Sequence, residues 1–98
     1  MSVNLSDVVA KRVCIQGRVQ GVWFRGWVVE QARANGLAGW VRNCCDGTVE
    51  GHFEGPAGAV EHLVSACADG PPAARVDRVD AVATAPEGLT NFGQRPTA

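Results

Sequence analysis

Gly17-Arg18-Val19-Gln20-Gly21-Val22-Trp23-Phe24-Arg25 leads from a short apolar strand, through a glycine-punctuated loop, into a helix whose first turn carries an arginine. Upstream, residues 9–16 read as the strand: Val13 and Ile15 share one face, with Lys11 nearer the end. Downstream, Phe24, Trp27, Val28, Gln31 and Ala32 recur at i, i+3, i+4, i+7 and i+8, the spacing of one helix face with a single polar member. Asn35-Gly36 supplies the stop, with Gly36 placed for a left-handed cap. The helix is expected over 24–35.

Beyond that cap, residues 37–45 and 48–54 read as two strands joined by Asp46-Gly47, a two-residue hairpin signal. On the second, Val49, Gly51 and Phe53 share a face, and Thr48, Glu50, His52 and Glu54 the other. That alternation predicts one covered and one wet face. Gly55-Pro56 opens a second helix, with Pro56 expected at its first position. Its apolar stripe is Val60, Leu63, Val64 and Cys67, and Gly70-Pro71-Pro72 ends it. A fourth strand is expected over 75–84, with Val79, Ala81 and Ala83 alternating. Val76 is out of phase with them, so the strand starts after it or carries a bulge. Residues 91–95 make a weak fifth strand, limited by Gly93 and Pro96.

The order β-α-β-β-α-β predicts an α+β fold: a ferredoxin-like sandwich of an antiparallel four- to five-stranded sheet with two helices on one face. The 98 residues suit one domain, expected over residues 9–95 after a frayed tail at 1–8. A chain this long buries roughly 60–70% of its unfolded surface, enough for a core without metal or disulfide support.

Composition narrows the function. Net charge is -1, and the nine basic residues, all arginine but Lys11, are scattered rather than striped, which argues against a nucleic-acid partner. No apolar run approaches the ~18 residues of a membrane span, and the first ten residues lack a signal-peptide pattern. A cytoplasmic, monomeric protein is the expectation. Cys14, Cys44, Cys45 and Cys67 form no C-x-x-C pair and no metal-ligand spacing with His52 or His62, so they read as reduced thiols and no metal or cofactor is expected.

Two positions carry chemistry. N–H groups in the loop and first helical turn lack carbonyl partners, and the helix dipole favours an anion there. Gly17 and Gly21 alone would fit a plain tight turn. Arg25 alone would be a solvated residue, but a cation at the positive helix end is unfavourable unless an anion sits beside it. Its guanidinium matches phosphate oxygens two at a time. Arg18 reads as a surface charge. Strand parity puts Asn43 with Gly39 and Val41; if Val41 faces the helices, Asn43 does too. There it either bonds the hairpin backbone or holds a water or ligand oxygen. His52 and His62 read as exposed and lack a carboxylate to orient them; Glu30, Glu50, Glu54 and Glu61 read as wet. Trp23 either lines the mouth of the site or packs, and Trp27 and Trp40 read as packing residues.

The segments Gly17-Arg18-Val19-Gln20-Gly21-Val22-x-Phe24-Arg25 and Gly39-Trp40-Val41-x-Asn43-x-x-Asp46-Gly47-x-Val49 resemble, in order and spacing, the two signatures of the acylphosphatase family. The similarity continues through Glu54-Gly55-Pro56, Gly70-Pro71-Pro72 and Arg75-Val76-Asp77 to Asn91-Phe92; the Phe92-Gly93-Gln94-Arg95-Pro96 ending departs from the family's usual alternating last strand. The resemblance implies metal-independent hydrolysis of a small-molecule acylphosphate to a carboxylate and inorganic phosphate, with phosphate or another anion as product or inhibitor. It implies that Arg25 binds the phosphoryl group with the backbone amides of Gln20, Gly21, Val22, Trp23 and Phe24, and that Asn43 orients the attacking water. A non-catalytic anion-binding module on the same fold is the alternative. An RNA-binding domain of this fold type would want exposed sheet aromatics, which the chain does not supply.

Overall fold

Period-2 apolar residues and two helical stripes sort the chain into β1 (Val8–Arg18), α1 (Phe24–Ala34), β2 (Ala38–Asn43), β3 (Val49–Pro56), α2 (Ala57–Cys67), β4 (Arg75–Thr84) and β5 (Phe92–Gln94). This is a computed structural model, and it describes residues 8–98. The tail expected over 1–8 lies outside the described residues except for Val8, which already pairs with Pro56.

The strands form one sheet in the order β4-β1-β3-β2-β5. β1 pairs antiparallel with β3 and β4, and β2 antiparallel with β3. The expected four-stranded antiparallel ferredoxin-like core is therefore present. The fifth strand corrects the expectation of a wholly antiparallel sheet: β5 runs parallel to β2, with Gly39 opposite Phe92 and Val41 opposite Gln94. Its direction follows from its route. β4 and β5 lie on opposite edges, so the chain between them must cross the sheet.

One face carries both helices. Val13 and Ile15 of β1, Val41 of β2, and Val49 and Phe53 of β3 meet Phe24, Val28 and Ala32 of α1 and Val60, Leu63 and Cys67 of α2. Phe24, Phe53 and Phe92 are each at most 1% exposed, and burial of such a side chain contributes about 1.5–3 kcal/mol. Burial also pushes the Cys67 thiol up to about 12, so it remains a neutral packing group. α1 ends where Gly36 takes φ 68°, with Leu37 N–H donating to the Ala32 carbonyl. Pro56 closes β3 and caps α2 from outside rather than occupying its first position.

The phase break at Val76 is a β-bulge. Gln16 faces Arg78 but Gly17 faces Val76, which leaves Asp77 as the extra residue. Gly17 has φ 131°, and a Cβ there would run into the Arg75 carbonyl, so the bulge needs glycine. Farther along β4 the alternation overstates burial: Ala81 and Ala83 are exposed at the uncovered edge. The hairpin is longer by one residue than expected. Gly47 N–H donates to the Cys44 carbonyl and Cys44 N–H to the Thr48 carbonyl, with Gly47 at φ 91°, a three-residue turn closed by a left-handed glycine.

The other sheet face corrects a second expectation. His52 and Glu54, expected on a wet face, are 0% and 4% exposed. The β4–β5 crossover covers them. The Glu54 carboxylate accepts hydrogen bonds from the backbone N–H groups of Glu87, Gly88 and Leu89 and lies 2.7 Å from His52 Nε2. Beside them Trp40, 3% exposed, stacks on the His52 ring, and the guanidinium groups of Arg12, Arg42 and Arg95 lie 4.6–4.8 Å from its centroid. Glu50 and Glu87 pair with these arginines.

Candidate active site

Topology gathers the site at one end of the sheet. β1, β2 and β5 run in the same direction, because β1 and β2 are both antiparallel to β3 and β5 is parallel to β2. Their C-terminal ends therefore share an edge. The loop following β1, Asn43 at the end of β2 and Gln94 at the end of β5 all lie there.

The loop, residues 19–23, is built to leave donors free. Val19 is 1% exposed and anchors it in the core. Gly21 takes φ 74°, and Trp23, at the N-cap of α1, takes φ 67°. No side chain caps α1, and its first turn holds no acidic residue. Among the described residues, no backbone carbonyl accepts from the N–H groups of Gln20, Gly21, Val22 or Trp23. The amide of Phe24 belongs to the first turn, where helices have no acceptor to offer. These five amides thus form a run of donors with no backbone acceptor, leading into a positive helix end.

Arg25 follows on that first turn. It is half-buried, and among the described residues no carboxylate lies within ion-pair distance. It lines a cleft of about 90 Å³ with Val19, Gly21, Trp23, Phe24, Gly26 and Gln94. A single water needs roughly 10–15 Å³, so the cleft has room for a group of several heavy atoms. Arg18, by contrast, is exposed on the last residue of β1.

Asn43 lies on the helix-facing side, as parity from the buried Val41 requires. It does not line the cleft itself. Its backbone carbonyl accepts from Ala98 N–H, while its side-chain oxygen Oδ1 is buried without a hydrogen-bond partner. An orphaned acceptor of this kind costs about 1–3 kcal/mol. It suits a site where an O–H donor binds during function.

Two residues were missed as side chains. Gln20 was expected to serve through its backbone alone, yet its Nε2 donates to the carbonyls of both Cys44 and Thr48 at 2.8 Å. It straps the loop to the hairpin next to Asn43. Nothing local in the sequence signals this, since the two carbonyls are assembled by strand pairing. Gln94 lines the cleft because β5 forms. His62 is exposed as expected, and His52 lies on the opposite face, facing Glu54 and Glu87 rather than the cleft.

Residues 11–93 match the family model described as acylphosphatase. A protein named acylphosphatase from Rhodospirillum rubrum is 54% identical over 85 residues, covering 87% of this chain and 93% of its own. An acylphosphatase structure from Coxiella burnetii superposes with a TM-score of 0.91 at 32% identity, over 97% of this chain and all of the other. One from Bacillus subtilis gives 0.86 at 38% identity, over 89% and 98%.

Proposed function

The chain belongs to the acylphosphatase family, and we propose that it hydrolyses the carboxyl–phosphate bond of small acylphosphates at the cleft lined by the 19–23 loop, the first turn of α1 and Gln94. The observation that carries this reading is the half-buried Arg25, without an ion pair among the described residues, at the open positive end of α1 beside a run of amides with no backbone acceptor. Folding leaves that much positive potential uncompensated, and a phosphoryl group compensates it.

The roles follow from the chemistry. The guanidinium of Arg25 takes two phosphoryl oxygens. The amides of Gln20, Gly21, Val22, Trp23 and Phe24 take the remaining charge, which spreads over the equatorial oxygens in the transition state. Oδ1 of Asn43 accepts one O–H of a water and aims its oxygen at phosphorus, opposite the leaving carboxylate. The new P–O bond forms as the bond to the acyl oxygen breaks, the electron pair leaves with the carboxylate, and the water proton passes to a phosphoryl oxygen. A carboxylate leaves readily without a general acid, so the reaction asks for neither histidine nor metal. Inorganic phosphate, as product, competes for the same donors.

Residues 9–95 serve as the catalytic unit, a reading supported by the extent of the family match. The protein works as a cytoplasmic monomer on a small molecule. Among the described residues no helix is long and apolar enough to cross a membrane. The sheet face on which RNA-binding domains of this architecture stack bases is here covered at Trp40, which favours a small-molecule substrate over nucleic acid.

The test is hydrolysis of benzoyl phosphate by protein exhaustively treated with EDTA. Equimolar release of benzoate and phosphate at an undiminished rate is expected. Activity lost to EDTA and restored by a divalent ion would contradict the metal-free mechanism.

A further inference from the structure

Trp23 presents a feature that phosphate capture does not require. It is the sole non-glycine residue with positive φ among the described residues, at 67°, and its side chain is 60% exposed. Left-handed backbone is strained for a bulky residue, and an exposed indole recovers little by burial. A glycine would hold the same turn without strain. The indole is nevertheless seated with care. Its five-membered ring lies across Gly26, where a Cβ would collide with Nε1 and come within 2.6 Å of Cε2. Gly26 in turn sits in the first turn of α1, where alanine is the better helix former. Two locally unfavourable choices therefore combine to lay a flat apolar ring down on the helix at the edge of the cleft that holds Arg25.

We propose that Trp23 is the platform for the acyl group, and that the enzyme favours acylphosphates whose acyl body is aromatic or otherwise flat and apolar. The inference rests on the acylphosphatase reading of the same cleft and specifies its substrate class. With the phosphoryl group on Arg25 and the loop amides, the acyl carbon and its substituent must leave the cleft across its rim. Trp23 is the large apolar side chain at that rim. Stacking there covers the indole face that folding leaves open, and an aromatic acyl group gains from the ring-to-ring contact in a way that a methyl group does not. The exposed indole thus has a partner during turnover, and the glycine beneath it has a reason.

The experiment compares kcat/KM for benzoyl phosphate and acetyl phosphate in wild type, Trp23→Gly, Trp23→Phe and Gly26→Ala. The readout is the benzoyl-to-acetyl ratio. Intrinsic reactivity of the two substrates is the same for every variant and cancels when the ratios are compared. Wild type is expected to favour benzoyl phosphate. Trp23→Gly should lower the ratio about tenfold, the scale of one lost apolar contact in a specificity pocket, while Trp23→Phe keeps most of it. Gly26→Ala, which forces the indole off the helix, should lower the ratio in the same direction. Combining it with Trp23→Gly should lower the ratio no further than Trp23→Gly alone. An unchanged ratio in Trp23→Gly would overturn the platform while leaving the hydrolase intact. Wild type that hydrolyses neither substrate would instead overturn the acylphosphatase reading itself, and the platform with it.

Discussion

Arg25 and Asn43 are the residues at which the fold leaves chemistry unfinished. Among the described residues, one is a cation at the positive end of a helix without an ion pair, the other an amide whose oxygen is buried without a donor. Their expected defects differ. In the proposed mechanism, Asn43→Ala removes the group that aims the water but not the donors that hold the anion. It should lower kcat by about 10²–10³-fold, the usual loss for one preorganised contact at a reacting centre, and leave inhibition by inorganic phosphate near the wild-type level. A parallel loss of phosphate inhibition would reassign Asn43 to anion binding. Both residues were legible in the sequence for physical reasons. A cation in a first helical turn is a local electrostatic conflict, and strand parity with Val41 placed Asn43 on the covered side. The strap formed by the Gln20 side chain was not legible, because its two acceptors exist as a pair only after β2 and β3 close their ladder.

At the scale of elements, the site depends on the loop and the hairpin keeping one spacing. Gln20 supplies the link through its bonds to the Cys44 and Thr48 carbonyls. Each such bond contributes about 0.5–1.5 kcal/mol net. Gln20→Ala keeps the backbone amide but lets the loop drift relative to Asn43. We expect a loss of about 1–2 kcal/mol in urea unfolding and a fall in kcat larger than any change in KM. A variant with reduced stability but wild-type kcat would make the strap purely structural. Most elements were readable from periodicity. The bulge opposite Gly17 showed as a phase break at Val76, and the hairpin showed as Asp46-Gly47 although Gly47 closes a turn one residue longer. The direction of β5 was not readable. It is set by the crossover from β4, which no local pattern encodes.

At the scale of the whole molecule, that crossover closes the second face of the sheet, and Glu54 fastens it. Burial pushes the Glu54 carboxyl up, but the hydrogen bonds from Glu87 N–H, His52 and Leu89 N–H outweigh it and hold the group below its ordinary value. The folded state therefore releases this proton more readily than the unfolded chain. The stabilisation is complete above the unfolded carboxyl value of about 4.3 and is lost as pH falls through the lower folded value. Thermal unfolding should show a midpoint that drops in this acid range. Glu54→Gln should flatten that drop and cost about 2–3 kcal/mol at neutral pH, the scale of hydrogen bonds to a charged group. An acid limb unchanged in Glu54→Gln would place its origin elsewhere. The alternation of β3 gave no hint of this clasp. A polar face that meets solvent and one that meets a segment thirty-odd residues later look the same in sequence.

Arg25 is the proposed fork for the phosphoryl group, and the rest of the mechanism depends on it. The direct measurement is benzoyl phosphate hydrolysis in EDTA by wild type, Arg25→Ala and Arg25→Lys, each checked for native thermal unfolding. The fork mechanism predicts that both variants fold and that both lose at least about 10²–10³-fold in kcat/KM, because a lysine point charge does not replace two parallel N–H donors. Near-wild-type turnover in either variant would contradict it.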